Sequence, residues 1–133
     1  MVRMPESDQV SVIEAFVAIG DSFTEGLNDP DPGGGFRGWA DRVAAALAAQ
    51  RPGFRYANLA VRGKRLGQVV AEQVPRAAEL APDLVSLAAG GNDILRGADV
   101  DVLASSSSRP WPRCRRQAAG WSYSPASIRA CSR

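Results

Sequence analysis

Histidine is absent from all 133 residues of the sequence. Imidazole is the side chain that works most readily as a general base near neutral pH. A mechanism that needs an imidazole therefore cannot be completed by these residues alone. Cysteine is also scarce: the two thiols, Cys114 and Cys131, show no zinc-ligand spacing and imply no disulfide framework.

Long apolar runs are lacking as well. No stretch approaches the roughly 18–20 residues that a membrane-spanning helix needs, and the N-terminal extension, 1–13, has no apolar core of a secretory signal. We therefore expect no membrane span and, by default, a cytoplasmic location. The apolar content of 45% and the charged content of 23% are ordinary for one globular domain.

Acidic residues are missing from the C-terminal part of the chain. All 14 lie at or before Asp101, and six arginines follow it. A basic tail can bind nucleic acid or a membrane surface, in which case binding would depend steeply on salt. Since no RNA- or DNA-binding motif accompanies the arginines, we expect no nucleic-acid partner.

The segment 105–133 differs in composition from the rest of the chain. It holds eight of the twelve serines and shows no apolar periodicity, which is typical of a disordered, low-complexity Ser/Arg/Pro tail. We favour a second interpretation, a frameshift in the coding sequence. Regrouping the GC-rich codons implied for 121–124 gives an apolar run suited to a buried strand. The nucleotide sequence decides between the two hypotheses.

Strands and helices alternate in the predicted order of elements. The pattern predicts strands at 14–20, 54–60 and 83–89, helices at 39–50 and 66–80, and a further helix near Asp99. Pro75 is expected to divide the second helix. This alternation predicts a parallel sheet with helices on both faces, and ligands gather at the carboxyl ends of such strands.

Three short motifs follow the three predicted strands. Ser22, in the sequence IGDSFT, can present its hydroxyl at a turn, or Asp21 or Ser22 can simply cap a helix. Gly63, in NLAVRG, can offer its N–H to an oxyanion or permit a tight turn. Asn92, in GGND, can donate its amide to an oxyanion or close an Asx-turn.

Taken together, and in this order, the three motifs resemble those of the SGNH hydrolases, also called GDSL esterases and lipases. The resemblance covers a partial domain, 14–104. It implies a flavodoxin-like three-layer α/β/α fold and hydrolysis of a small-molecule ester or thioester, with no metal or organic cofactor. It also implies that Ser22 is the nucleophile, and that the Ser22 N–H, the Gly63 N–H and the Asn92 side chain hold the oxyanion.

The fourth motif of that family, D-x-x-H, has no counterpart in this sequence. The histidine base and its orienting aspartate are thus absent, and nothing places Asp21 or Asp93 to replace them. We expect an enzyme that is truncated and weakly active or inactive; the alternative is a non-catalytic binding module on the same fold. A sheet that stops at its third strand also has an uncovered edge, so we expect low stability and self-association or aggregation.

Overall fold

The computed structural model describes residues 12–107 of the chain. Two short helices, at 22–25 and 91–95, were not predicted. The other elements follow in the predicted order, and the strand ends coincide with the predicted ones or lie one to two residues inside them. Ten elements are seen in residues 12–107. They are β1 (Ala15–Gly20), α1 (Ser22–Glu25), α2 (Trp39–Ala49), β2 (Arg55–Asn58), α3 (Leu66–Gln68), a π-helical segment (Val69–Gln73), α4 (Val74–Glu79), β3 (Leu84–Ala88), α5 (Gly91–Leu95) and α6 (Val100–Ser107). The tail predicted at 105–133 overlaps α6 at 105–107, so the helix runs three residues past the predicted end of the domain. The rest of the tail and its frameshift hypothesis lie outside the described residues.

The three strands form one parallel sheet in the order β2-β1-β3. The pairing runs from Ala15 beside Arg55 to Ala18 beside Asn58 on one side of β1. On the other side β1 pairs with β3, as far as Gly20 beside Ala88. All six residues of β1 are buried, which is why this continuous apolar run takes the central position. The predicted parallel sheet is confirmed.

Alternate residues of β1 point to opposite faces of the sheet, and each face carries its own core. Val17 and Ile19 belong to one cluster, whose other buried members are Leu66, Val69, Val74, Ala77 and Leu87. Phe16 and Ala18 belong to a second cluster with Ala40 and Ala44 of α2. The helical run 66–79 therefore covers one face and α2 covers the other, as the predicted α/β fold requires.

The helical run 66–79 continues past Pro75 without a gap. The predicted interruption takes the form of a change in helix type, because α3 passes into the π-helical segment before α4 begins with Pro75 in its first turn. Proline has no N–H to donate, and a π-turn relaxes the hydrogen-bond ladder ahead of it. In the part of the chain that the structure describes, no helix is long and apolar enough to cross a membrane.

Two glycines bring α1 and the start of α2 into backbone contact. A Cβ on Gly38 would lie 2.6 Å from the Cα of Gly26, and one on Gly26 would lie 2.6 Å from the Gly38 nitrogen. The intervening loop is closed by an antiparallel bridge between Pro30 and Phe36. This crossing fixes α1, and with it Ser22, at the carboxyl end of β1.

Candidate active site

Ser22 is the first residue of α1, two residues after the last residue of β1. The helix is capped by Asp21, whose Oδ1 accepts the N–H of Phe23 at 3.1 Å. The capping interpretation is therefore correct for Asp21, and it leaves Ser22 free for another role. The Ser22 side chain is partly exposed, and its hydroxyl has no hydrogen-bond partner among residues 12–107.

Gly20, at the end of β1, is held by a side chain that sequence reasoning missed. The amide of Gln73 accepts the Gly20 N–H at 2.8 Å and donates to the Gly20 carbonyl oxygen at 2.9 Å. Gln73 is buried, with 4% of its surface exposed. The sequence carries no signal for this contact, because a glutamine between Glu72 and Val74 in a predicted helix is equally suited to a solvent-facing position.

Gly63 lies in an exposed turn between Val61 and Lys64, which is closed by the Lys64 N–H on the Val61 carbonyl at 3.4 Å. Its φ of +75° is a left-handed conformation that favours glycine. No atom lies within 4 Å of the position where a Cβ would stand. Within the described part of the chain the Gly63 N–H has no acceptor. The turn interpretation is thus correct, and the turn leaves this N–H open.

Asn92 lies in α5, a helix that the sequence analysis did not predict. Its Nδ2 donates to the Lys64 carbonyl at 3.0 Å, so the side chain is directed at the turn of Gly63 and no Asx-turn of its own is seen in the described structure. A primary amide carries two N–H groups. The contact with Lys64 occupies one of them and orients the other.

Contacts from both sides fix the segment that carries Gly63. Glu25 of α1 accepts the backbone N–H of Arg62 at 2.9 Å and pairs with its guanidinium at 3.0 Å. Asp93 of α5, which is buried, accepts the N–H of Leu66 at 2.8 Å. The hydrogen bond to Glu25 and its charge raise the pKa of Arg62. The three loops therefore meet at one end of the sheet, as the sequence analysis predicted.

The two carboxylates nearest to Ser22 and Asn92 in the sequence already have structural partners. Asp21 caps Phe23, and Asp93 holds Leu66. In the described residues neither carboxylate is hydrogen-bonded to the Ser22 hydroxyl. Across residues 12–107 no group of three or more His, Cys, Asp or Glu side chains is placed to hold a metal ion.

Solved structures of other proteins have a similar fold. TesA is 28% identical, with a TM-score of 0.58, over 70% of this chain and 49% of that chain. AlinE4, an SGNH-hydrolase family esterase, is 23% identical, with a TM-score of 0.55, over 71% and 49%. The psychrotrophic esterase EstA from Pseudoalteromonas sp. is 18% identical, with a TM-score of 0.53, over the same shares. The chain thus spans about half the length of these structures.

No curated protein sequence is significantly similar to this chain. A family model described as the GDSL-like lipase/acylhydrolase family, in contrast, matches residues 18–122. The matched range is most of the chain and includes Ser22, Gly63 and Asn92. Because it covers more than half of the chain, this match shows that the chain belongs to the GDSL-like lipase/acylhydrolase family.

Proposed function

We propose that the described residues form the nucleophile and oxyanion-binding half of an ester hydrolase that acts on acyl esters or thioesters. One observation carries the proposal. The Ser22 hydroxyl has no partner in residues 12–107, and α1, which begins with Ser22, accepts the N–H of Arg62 through Glu25. The next residue, Gly63, has an open N–H, and the Lys64 carbonyl orients the Asn92 amide. Nucleophile and donors for a developing oxyanion are the two parts that acyl transfer requires at one carbonyl.

In the proposed reaction the Ser22 Oγ attacks the acyl carbonyl carbon and gives its proton to a base. The carbonyl electron pair moves onto oxygen, where the N–H groups of Ser22 and Gly63 and the Asn92 amide stabilise it. Collapse of this intermediate expels the alcohol or thiol with a proton and leaves an acyl ester on Ser22. Water then releases the carboxylic acid and restores the serine. Each oxyanion donor of this kind contributes about 3–4 kcal/mol where measured.

The base in this proposal comes from outside these 133 residues, because they contain no imidazole. Loss of a triad member typically costs about 10⁴–10⁶ in rate and leaves about 10³–10⁴ over water. We therefore propose that the chain by itself is weakly active or inactive. The missing histidine equally favours a second function, a binding module that holds an acyl group in the same crevice without turnover.

Chemical rescue tests the proposal. Hydrolysis of p-nitrophenyl acetate is measured for the purified chain and for Ser22→Ala, with and without added imidazole. Imidazole also cleaves this ester in free solution, so the informative quantity is the difference between the two proteins. We expect a Ser22-dependent rate that rises with imidazole and levels off as the site fills.

A matched serine variant, Ser105→Ala in α6, controls for loss of a hydroxyl elsewhere. Its rescued rate is expected to equal that of the unmodified chain. Equal rates for the unmodified chain and Ser22→Ala, at every imidazole concentration, would contradict the hydrolase proposal. Saturable binding of the ester without any Ser22-dependent turnover would instead support the binding module.

A further inference from the structure

We infer that Gln73 is a positioning residue for the nucleophile: its side-chain amide takes the place of a neighbouring strand at the end of β1 and thereby fixes the backbone that carries Ser22. The inference rests on the proposed function for the role of Ser22. The contacts of Gln73 themselves are independent of that role.

Gln73 can take the place of a strand because the two strands that flank β1 pair with it over different lengths. Pairing between β1 and β2 ends at Ala18 and Asn58, whereas β1 continues to Gly20. On this side of β1 the chain after β2 reaches Gly20 only through the Val61 N–H, which donates to the Gly20 carbonyl at 3.2 Å. Among the described residues the Gly20 N–H has no backbone acceptor there. Gln73 supplies an acceptor for this N–H at 2.8 Å and a donor for the Gly20 carbonyl at 2.9 Å. Its amide offers the same pair of groups as a peptide unit.

The π-helical segment brings this amide to the sheet. Gln73 is its last residue, and Val69 and Val74 beside it are buried in the core. A polar group in such surroundings is costly unless it is hydrogen-bonded. Since both ends of the Gln73 amide are bonded to Gly20, a hydrocarbon side chain of similar size would leave two buried backbone groups of Gly20 with one partner fewer each.

The opposite side of the same backbone is fixed by β3. A Cβ on Gly20 would lie 2.2 Å from the Ala88 carbonyl oxygen, and that oxygen accepts the Asp21 N–H at 3.3 Å. Gly20 and Asp21 are thus held between Gln73 and Ala88, and Ser22 is the next residue. Movement of Gly20 away from Gln73 would therefore move the Ser22 Oγ relative to the Gly63 N–H. Misplacement of about 1 Å can cost a hundredfold in rate.

The direct test is made on the unmodified chain by nuclear magnetic resonance. We expect a scalar coupling across the hydrogen bond from the Gly20 nitrogen to the Gln73 side-chain carbonyl, and a Gly20 N–H that exchanges as slowly as that of Val17 in the strand centre. Absence of the coupling together with fast exchange at Gly20 would overturn the inference. This measurement requires neither catalysis nor a variant that folds.

The variant Gln73→Glu tests the consequence for Ser22. Its ionised carboxylate accepts the Gly20 N–H but repels the Gly20 carbonyl, whereas the protonated carboxyl has both a donor and an acceptor. At pH 8 we expect the Gly20 and Asp21 amides to exchange at least about tenfold faster relative to Val17. The Ser22-dependent, imidazole-rescued kcat should fall by about 10- to 100-fold, with KM unchanged. Near pH 5 the exchange should return toward that of the unmodified chain.

Gln50→Glu, which makes the same change at an exposed residue after α2, is the control and should alter none of these quantities. A kcat for Gln73→Glu equal to that of the unmodified chain, despite faster exchange at Gly20, would show that Gln73 stabilises the fold without positioning Ser22, and so would overturn the inference. If Ser22-dependent hydrolysis is absent from the unmodified chain, the proposed function fails, and the coupling and exchange data still decide whether Gln73 fixes Gly20.

Discussion

Two glycines of the candidate site are needed for different physical reasons. Gly63 adopts a φ of +75° in open space, so a side chain there would meet strain in its own backbone and no neighbour. Gly20 has almost no space, because a Cβ would lie 2.2 Å from the backbone oxygen of Ala88. The cost of adding one methyl group should therefore differ greatly between the two positions.

We expect Gly63→Ala to lower the free energy of unfolding by about 1–2 kcal/mol, the cost of the left-handed conformation. Gly20→Ala adds a clash with backbone that cannot move without separating β1 from β3, and we expect at least about 3 kcal/mol. Urea denaturation of the two variants beside the unmodified chain measures both values. Equal midpoints for the two variants would contradict the close approach of Gly20 to Ala88.

The candidate residues of the proposed site could be named from the sequence, and the residues that hold them in place could not. Ser22, Gly63 and Asn92 stand in short motifs that follow strands. Gln73, by contrast, is hydrogen-bonded to Gly20, which lies 53 positions earlier in the sequence. The side chain of Gln73 points to the sheet because of a π-turn, and no hydrophobic periodicity predicts that turn. The Glu25–Arg62 pair likewise arises where α1 meets the loop that follows β2.

At the level of elements, one polar chain links β2 to the start of α2. The Tyr56 hydroxyl donates to Asp41 at 2.8 Å, and the other Asp41 oxygen accepts the Gly38 N–H at 3.0 Å. The Tyr56 ring stacks on Phe16 at 5.4 Å between centroids. Burial, followed by the hydrogen bond to Asp41, raises the pKa of Tyr56 well above its ordinary value.

This shift predicts a loss of stability in alkali. Because the pKa of Tyr56 is higher in the folded state, the unfolded chain loses the phenolic proton first, and the free energy of unfolding falls as the pH rises above about 10. Tyr56→Phe should remove that dependence. Below pH 9 the variant should be less stable by about 0.5–1.5 kcal/mol, the value of one hydrogen bond.

Chemical denaturation at pH 8 and pH 11 measures the effect. The matched comparison is the change in the free energy of unfolding between the two pH values, measured in the unmodified chain and in Tyr56→Phe. The other side chains that titrate in this range, Lys64, Tyr123 and the two cysteines, are common to both proteins. If the free energy of unfolding falls by the same amount in both proteins, Tyr56 is not the cause of the loss of stability in alkali.

Element order was more predictable than element ends. The alternation of apolar strands and amphipathic helices determines the three-layer arrangement, because each sheet face must be covered. The helix α5 was missed, since the sequence Gly90-Gly91-Asn92-Asp93 contains only poor helix formers. Tertiary contacts override that propensity: Asn92 and Asp93 are held by Lys64 and Leu66.

At the scale of the whole molecule, the two outer strands of the described sheet differ in character. The strand β2 begins with the exposed, charged Arg55. The strand β3 has five residues, LVSLA, without a charge or a proline, and it pairs with β1 alone within the described region. Natural edge strands are commonly protected by charge or proline. The chemistry of β3 is thus that of an inner strand.

We therefore expect the chain to self-associate through β3. Its sedimentation coefficient should increase with concentration. Hydrogen exchange at the amides of Leu84–Ala88 should slow as concentration rises, because a new strand partner protects them, while exchange at Arg55–Asn58 should stay constant. The comparison of two strands in one sample provides its own control. A sedimentation coefficient independent of concentration, or equal changes in both strands, would contradict association through β3.

The central position of β1 also has a consequence for how the chain is made. This strand is the first of the three to leave the ribosome, yet it lies between the other two, so both of its edges wait for later residues. About 70 further residues must be added after Gly20 before β3 is complete. At roughly 5–20 residues per second, the edge of β1 that pairs with β3 waits for about 4–14 s, whereas β2 can cover the other edge after about half that time. Chaperones that bind short apolar segments have that interval in which to act.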